Sequence, residues 1–386
     1  MRERVAIVGA GATGLAVAAT LKQRGVEALL LEGSDAIGDS WRRRYARLHL
    51  HTVRWLSGLP GLAVPRAAGR WVPKDAYADY LEAYARHHGL EPRLGVRAER
   101  IDRADGGWTV RTTAGDVDAG AVVLASGWNH TPFVPDWRGR ETLGTRLMHS
   151  ADYVDPRPYS GRDVLVVGSG NSGAEIATDL ADGGAARVRL SVRTPPIVVR
   201  RATLGLPTQL LGISLGALPK RTVVPLTRAI RKVSIPDLEP FGLPAPPDGI
   251  AQFARTGTVP IIDVGFVEAV RKGRVEVVAA VERVEDGVVV LADGSRLEVD
   301  AVVAATGFVP ALGPLVGQLG VLDGRGSPLV HGGKTHPGAP NLYFAALEPT
   351  LGGLLREAAR DAKRVAAAVV ANPRRRYLTI ASRSIA

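Results

Sequence analysis

The feature that most constrains this chain is a unit written twice: an apolar strand, a glycine turn and a helix, opening at Val5 and again at Asp163. In the first copy Val5-Ala6-Ile7-Val8 leads into Gly9-Ala10-Gly11-Ala12-Thr13-Gly14 and an alanine-rich helical stretch. Gly9 permits the sharp turn, Gly11 lets the backbone approach a pyrophosphate, and Gly14 lets helix and strand pack closely. The helix start, with Ala12 and Thr13 in its first turn, offers free N–H groups and a positive dipole end to phosphates. A second strand, Ala28 to Leu31, ends in Glu32, an acceptor placed for ribose hydroxyls roughly 20 residues past the glycines.

In the second copy Asp163-Val164-Leu165-Val166-Val167 runs into Gly168-Ser169-Gly170-Asn171-Ser172-Gly173-Ala174-Glu175. Its second strand, Arg187 to Val192, ends in Arg193 rather than an acid. Three short strands follow in each half, over 94–101, 108–113 and 119–125 and then over 275–284, 287–291 and 299–305. The two sets close in Ala125-Ser126-Gly127-Trp128 and Ala305-Thr306-Gly307-Phe308, which makes Ala125, Gly127, Thr306 and Gly307 candidate cofactor contacts.

This pattern predicts an α/β protein with two Rossmann-like dinucleotide-binding domains, the second inserted into the first, each carrying a three-stranded β-meander. The expected boundaries are 1–158 and 308–386 for the first domain and 159–307 for the second. Glu32 suits free ribose hydroxyls and repels a ribose phosphate, so the first site fits FAD. Arg193, read at the same offset, supplies the positive fork that a 2′-phosphate requires, so the second fits NADPH over NADH.

Composition narrows the chemistry. A chain of 386 residues with no cysteine has no disulfide, no thiolate metal site and no redox-active dithiol. The net charge of +11 invites a nucleic-acid reading, but the basic residues are spread along the chain, and anionic cofactors account for them as well, so no nucleic-acid partner is expected. The first strand begins almost at once, leaving no room for a signal peptide, and no apolar run is long enough to span a bilayer, so the expected location is cytoplasmic. Oligomeric state is not legible.

Between the halves, 195–260 is irregular and rich in Pro and Leu, with apolar runs over 204–218 and 223–235. A cover of packed helices over the substrate is the default expectation, and a membrane contact the less favoured one. Pro373-Arg374-Arg375-Arg376 reads as a solvated tail. Near the first site, Ser40 and Trp41 either line the cofactor's middle or belong to a surface loop with an anchored Trp. Tyr77, Tyr80, Leu81 and Tyr84 form a helical stripe over 75–87, of the kind that is more often core than ligand contact. A strand over 341–346 and a helix opening at Gly353 and Leu354 return to the first domain, with that helix start expected near a flavin ring, where its dipole favours negative charge.

On these turns the chain resembles the flavin-containing monooxygenase family, the class B flavoprotein monooxygenases, and looks closest to the YUCCA-type indole-3-pyruvate monooxygenase branch. The run Val164 to Gly173 is very like the family's NADPH turn, and Asp263-Val264-Gly265 and Ala305 to Phe308 are similar too. The family's FxGxxxHxxxY signature reads here from Leu143 to Tyr153: His149 and Tyr153 match, while Phe becomes Leu143 and Gly becomes Thr145. The resemblance implies FAD, NADPH, dioxygen and a small-molecule substrate, oxygenated through a flavin C4a-peroxide, with oxidative decarboxylation of an aromatic 2-oxo acid or N- or S-oxygenation as the outcome. It also implies that His51 and Asn171 fix bound NADP, although His51 reads equally as a structural histidine. Arg42 and Arg47 are candidate partners for a substrate carboxylate. No histidine set makes a metal site. A flavin reductase without oxygen insertion and a regulatory FAD-binding protein remain alternatives, and the missing cysteines exclude a disulfide reductase.

Overall fold

The computed structural model describes residues 5–371 apart from 204, 216–234, 247–252, 254–256 and 349. The basic tail at 373–376 and nearly all of the apolar run at 223–235 lie outside the described residues, whereas Thr208–Leu215 is helical. The chain divides into two compact units, one comprising Met1–Arg42, Thr52–Thr131 and Val309–Ala386, the other Arg43–His51 and Pro132–Phe308.

The first unit is built on a four-stranded parallel sheet in the order Ala28–Leu31, Val5–Val8, Ala121–Leu124, Leu342–Phe344. Val5–Val8 and Ala121–Leu124 are buried at every position, which is why both read as unbroken aliphatic runs. Helix Ala12–Lys22 packs along the C-terminal helix Leu354–Val370. Both present small buried residues, Ala12, Ala16 and Ala19 on one and Ala358, Ala362 and Ala366 on the other, and small side chains let the axes approach. An antiparallel three-stranded sheet, Ala98–Ala104, Gly107–Thr112 and Val117–Ala119, forms the meander, and its Ile101, Trp108 and Val110 join the core of the parallel sheet.

The second unit repeats this plan with a five-stranded parallel sheet in the order Glu276–Val278, Arg187–Ser191, Asp163–Val167, Ala301–Ala304, Leu147–His149. Its meander is Val281–Glu285, Val288–Leu291 and Arg296–Leu297. The strand expected over 275–284 is therefore two. Ser191 holds the bend between them, its hydroxyl donating to the Ala279 carbonyl at 2.9 Å and accepting the Val281 N–H at 3.1 Å.

Two segments fall differently from the sequence expectation. Leu147–His149 pairs in parallel with Ala301–Ala304 and takes the edge place that Leu342–Phe344 holds in the first sheet, so the division comes at Thr131/Pro132 rather than at 158/159. Arg43–His51 belongs to the second unit, where Ala46 N–H donates to the Val154 carbonyl at 2.8 Å and Tyr45 lies in the hydrophobic core with Tyr153.

The tyrosine stripe is core. Helix Lys74–His87 buries Tyr77, Tyr80, Leu81 and Tyr84, and their hydroxyls fasten the loop ahead: Tyr80 accepts from Leu59 N–H and donates to the Leu62 carbonyl, both at 2.7 Å, and Tyr84 donates to the Pro60 carbonyl at 2.6 Å.

Candidate functional site: two glycine turns

In the first turn Gly9 has φ +98° and its N–H donates to the Leu31 carbonyl at 2.8 Å. A Cβ there would stand 2.6 Å from the Ala125 oxygen, and one on Gly14 would stand 1.8 Å from the Gly9 oxygen. Both positions exclude any side chain. Gly11, which caps the helix, has no atom within 4 Å of where its Cβ would be, so the space it leaves is open to a ligand. Ala12 and Thr13 begin the helix. The Glu32 carboxylate is held at this turn, accepting the Ala10 N–H at 2.7 Å on one oxygen and the Ser34 N–H and hydroxyl at 3.0 and 2.7 Å on the other. Beside it, strand Ala121–Leu124 runs on through Ala125 to Gly127, whose φ is +87°. The Ser126 hydroxyl is buried there with no hydrogen-bond partner among the described residues. An orphaned buried hydroxyl beside a glycine turn that leaves open space fits a site shaped for a polar ligand.

The other candidates of this unit are placed as follows. Ser40 and Trp41 lie in the short helix Asp39–Arg42, Ser40 exposed and Trp41 edge-on to Tyr77 at 4.9 Å. Arg42 is committed to carboxylates, to Asp79 at 2.9 Å and Glu82 at 2.6 Å. Gly353, at φ +94°, caps helix Leu354–Val370, in which Leu354 is half-buried.

The second turn repeats the first closely. Gly168 has φ +115° and donates to the Ser191 carbonyl at 3.0 Å. Its Cβ would meet the Ala305 oxygen at 2.5 Å, and that of Gly173 the Gly168 oxygen at 1.9 Å. Gly170 again caps the helix with nothing within 4 Å of its missing Cβ. Asn171 starts helix Asn171–Asp182 and spends its amide on the backbone, donating to the Pro260 carbonyl at 3.0 Å and accepting from Ile262 N–H at 2.7 Å. Its side chain thus fastens the 260–262 segment to the turn.

Leu31 and Ser191 are equivalent, since each receives the first glycine's N–H. Glu32 stands one residue beyond its strand and Arg193 two beyond. The offsets read as equal from the sequence differ by one residue, and Gly33 and Arg193 are the matched positions. Arg193 is exposed, in a loop drawn to the turn by a 3.3 Å hydrogen bond from the Ser169 hydroxyl to the Thr194 carbonyl.

His51 lies in this second unit, and its Nε2 is hydrogen-bonded to Glu175 Oε1. Glu175 is 3% exposed, on the second turn of the glycine-turn helix. The Tyr45 hydroxyl is close enough to Ser172 and Glu175 to feel both, and its pKa is pushed well up by burial first and by the Glu175 charge second. Arg201, its pKa pushed down to about 10 by burial against the pull of Glu175, donates to the Leu50 carbonyl at 2.6 Å. Glu175 and Tyr45 are functional candidates that the sequence reading missed. A glutamate in a helix and a tyrosine in an Arg-rich loop carry no spacing that announces burial.

The signature residues His149 and Tyr153 brace the same unit. His149 Nδ1 accepts the Ala151 N–H at 3.0 Å, which makes Nε2 the protonated nitrogen, donating to the Gly307 carbonyl at 3.0 Å. Gly307 has a positive φ of +91°, as Gly127 has one of +87° in the first unit, and the Thr306 hydroxyl donates to the Phe133 carbonyl. Tyr153 donates to Asp179 Oδ2 at 2.9 Å. Arg47 pairs with Asp182 at 3.1 Å and Asp179 at 3.6 Å. Among the described residues no cluster of His, Asp and Glu is disposed to hold a metal ion, and no helix is long and apolar enough to cross a membrane.

Paired parallel sheets, each with a glycine turn at the head of its first helix, define a two-dinucleotide oxidoreductase, and residues 6–205 match the family model of the pyridine nucleotide-disulphide oxidoreductases. The chain is 36% identical over 315 residues to the indole-3-pyruvate monooxygenase YUCCA1 of Oryza sativa subsp. japonica, covering 78% of this chain and 76% of that one. Its fold is similar to the flavin-containing monooxygenase of Stenotrophomonas maltophilia, with a TM-score of 0.69 at 24% identity, covering 94% of this chain and 98% of that one. It is similar also to OTEMO in complex with FAD and NADP, with a TM-score of 0.72 at 15% identity, covering 95% and 84%. The chain belongs to the flavin-containing monooxygenase family, with its similarity to the YUCCA-type branch, and is an FAD- and NADPH-dependent monooxygenase. With no cysteine, it carries none of the dithiol chemistry in the broader family's name.

Proposed function

We propose that this monooxygenase acts on a small aromatic 2-oxo acid, of which indole-3-pyruvate is the first to test. The reading is carried by the 36% identity to an enzyme named for that substrate, over 78% of the chain. The balanced reaction takes a 2-oxo acid, dioxygen, NADPH and a proton to the acid one carbon shorter, carbon dioxide, water and NADP⁺.

The residues present fit both cofactors. Gly9, Gly11, Ala12, Thr13 and Gly14 would cradle the FAD pyrophosphate, with Glu32 toward the ribose and Ala125, Ser126 and Gly127 along the same edge. Ser40, Trp41, Gly353 and Leu354 are further contacts we assign to the flavin side. Gly168, Gly170, Ser172 and Gly173 would hold NADPH with Arg193 on its 2′-phosphate, and Thr306 and Gly307 beside them. Bound FAD supplies two-electron acceptance from NADPH and activation of dioxygen. The chain's part is to bind, orient and keep water out. Asn171 shapes the NADPH turn through the backbone it fastens, and His51 brings an imidazole to Glu175 on the helix that follows that turn. Arg42 and Arg47, each held by two carboxylates, are poor partners for a substrate carboxylate.

The test is to supply purified holoenzyme with NADPH, isotopically labelled dioxygen and indole-3-pyruvate. The expected result is substrate-stimulated NADPH oxidation, with one labelled oxygen in the shortened acid. NADPH oxidation that yields only hydrogen peroxide, or label appearing instead on an added amine or thioether, overturns the 2-oxo acid reading.

A further inference from the structure

Glu175 sits where packing alone asks for an apolar side chain. Its neighbours on the helix, Ala174, Ile176 and Ala177, are buried in the hydrophobic core, and Glu175 is itself only 3% exposed. Burying a carboxylate is strongly unfavourable unless charge and hydrogen bonds compensate it. Here the compensation is organised: His51 on one oxygen, the Tyr45 hydroxyl nearby, and Arg201 supplying positive charge. Arg201 also holds the Leu50 carbonyl at 2.6 Å, one residue before His51, so it fixes the backbone that carries the imidazole.

An ionised carboxylate only accepts hydrogen bonds, so the ring nitrogen facing it carries the proton. In the neutral ring that leaves Nδ1 with the lone pair. Nδ1 has no hydrogen-bond partner among the described residues, and the His51 side chain remains 24% exposed. The same cluster is joined to the nucleotide turn through the helix itself, since Glu175 stands five residues after the capping Gly170, with Ser172 between them close to Tyr45. A buried acid that dictates a tautomer, tied to the turn that receives a dinucleotide, has a use that a purely structural pair would not.

We propose that Glu175 is a positioning residue that fixes His51 as its Nε2–H tautomer, so that Nδ1 is presented as a hydrogen-bond acceptor to a donor group on bound NADPH. The carboxylate acts through the imidazole, and Tyr45 and Arg201 hold the carboxylate. The inference rests on NADPH occupying the second glycine turn; it does not depend on which substrate is oxygenated.

The first test is nitrogen NMR of histidine-labelled, FAD-loaded enzyme near neutral pH, with the His51 signals assigned by their loss in His51→Ala. The expected spectrum has Nε2 protonated and Nδ1 bare, with the Nδ1 signal moving when NADP⁺ is added. In Glu175→Gln, whose amide can present either its oxygen or its NH₂, the two tautomers become mixed. Protonation on Nδ1 in the wild type, an Nδ1 signal indifferent to NADP⁺, or an unchanged tautomer in Glu175→Gln overturns the proposal.

The second test is a double-mutant cycle on NADP⁺ affinity, measured by titration of the FAD-loaded proteins. Glu175→Gln is expected to weaken NADP⁺ about fivefold, the size of one ordinary hydrogen bond. In the His51→Ala background it should change affinity less than about twofold, because the group it positions is gone. Equal effects in both backgrounds overturn the proposal, and the wild-type NMR result decides it should a variant fail to fold. If NADP⁺ binds normally and only the tautomer is wrong, the assignment of the second turn to NADPH survives. If NADP⁺ does not bind at all, both fall.

Discussion

A Cβ on Gly173 would lie 1.9 Å from the carbonyl oxygen of Gly168, a contact that backbone cannot yield without breaking the turn. Gly170, three residues earlier, has φ −91° and nothing within 4 Å of its missing Cβ. One glycine is needed for the fold, while the other leaves space that the proposed nucleotide would use. Gly173→Ala is therefore expected to cost more than about 2 kcal/mol of stability, as a backbone clash in a packed element. Gly170→Ala should fold within about 0.5 kcal/mol of the wild type. It should nevertheless bind NADPH distinctly more weakly, because its methyl fills the space a pyrophosphate would use. Denaturant unfolding and nucleotide titration of both variants check the contrast, and equal losses of stability would contradict it.

Arg193→Ala is expected to weaken NADPH about tenfold or more and leave NADH nearly unchanged, since charge-assisted hydrogen bonds to a phosphate are worth about 1.5–3 kcal/mol. The one-residue difference in offset does not weaken this expectation, because Arg193 is exposed in a loop that Ser169 holds against the turn. Parallel losses for both nucleotides, read by titration, would remove the 2′-phosphate role.

His149→Phe should destabilise the second unit and loosen the Gly307 turn. The imidazole makes two hydrogen bonds to backbone, from Ala151 N–H and to the Gly307 carbonyl, each at 3.0 Å, and a phenyl ring makes neither. Leaving those two groups unpaired costs roughly 1–3 kcal/mol each. The loss should appear in thermal unfolding and, more weakly, in NADPH affinity; unaltered stability would refute the bracing role.

Alkaline pH should unfold the protein through its tyrosines. Burial pushes the Tyr80 hydroxyl up to about 12 and raises those of Tyr45, Tyr77, Tyr84 and Tyr153 well above the ordinary tyrosine value. An unfolded tyrosine ionises near ~10. Below that pH both states keep their protons and the stabilisation is complete; above it the unfolded chain ionises first, so stability falls as pH climbs toward the folded values. Denaturant midpoints should drop steeply from about pH 10 upward, and the native protein should show few phenolates there. Full phenolate absorbance in the native state at that pH would contradict this.

Much of the architecture is written locally. Strands buried on both faces, such as Val5–Val8 and Asp163–Val167, are aliphatic runs, and the glycine turns need φ values that only Gly9 and Gly168 supply without strain, so both repeats are visible in one dimension. What is not visible depends on distant pairing. Leu147–His149 does not stand out as a strand in the sequence, because its place at a sheet edge is set by Ala301–Ala304, more than a hundred residues away. Arg43–His51 reads as part of the first domain because nothing in Arg-Arg-Tyr-Ala-Arg reveals that Tyr45 is buried beside Tyr153. Glu175 carries no sign of its burial in the motif, since a carboxylate in a helix usually faces water and only the fold brings His51 to it. Counting along the sequence matches Glu32 with Arg193, whereas the hydrogen bonds of Gly9 and Gly168 fix the register so that Gly33 matches Arg193.

The central claim is that each copy of the repeat grips its own dinucleotide, FAD at the turn carrying Glu32 and NADPH at the turn carrying Arg193. The direct measurement is a count of nucleotides per chain, with flavin released and quantified from purified protein and NADP⁺ titrated into the flavin-loaded form. One FAD and one NADP⁺ per chain, bound without competing, is the predicted result. A single nucleotide in total, or NADP⁺ that binds only by displacing FAD, would contradict it.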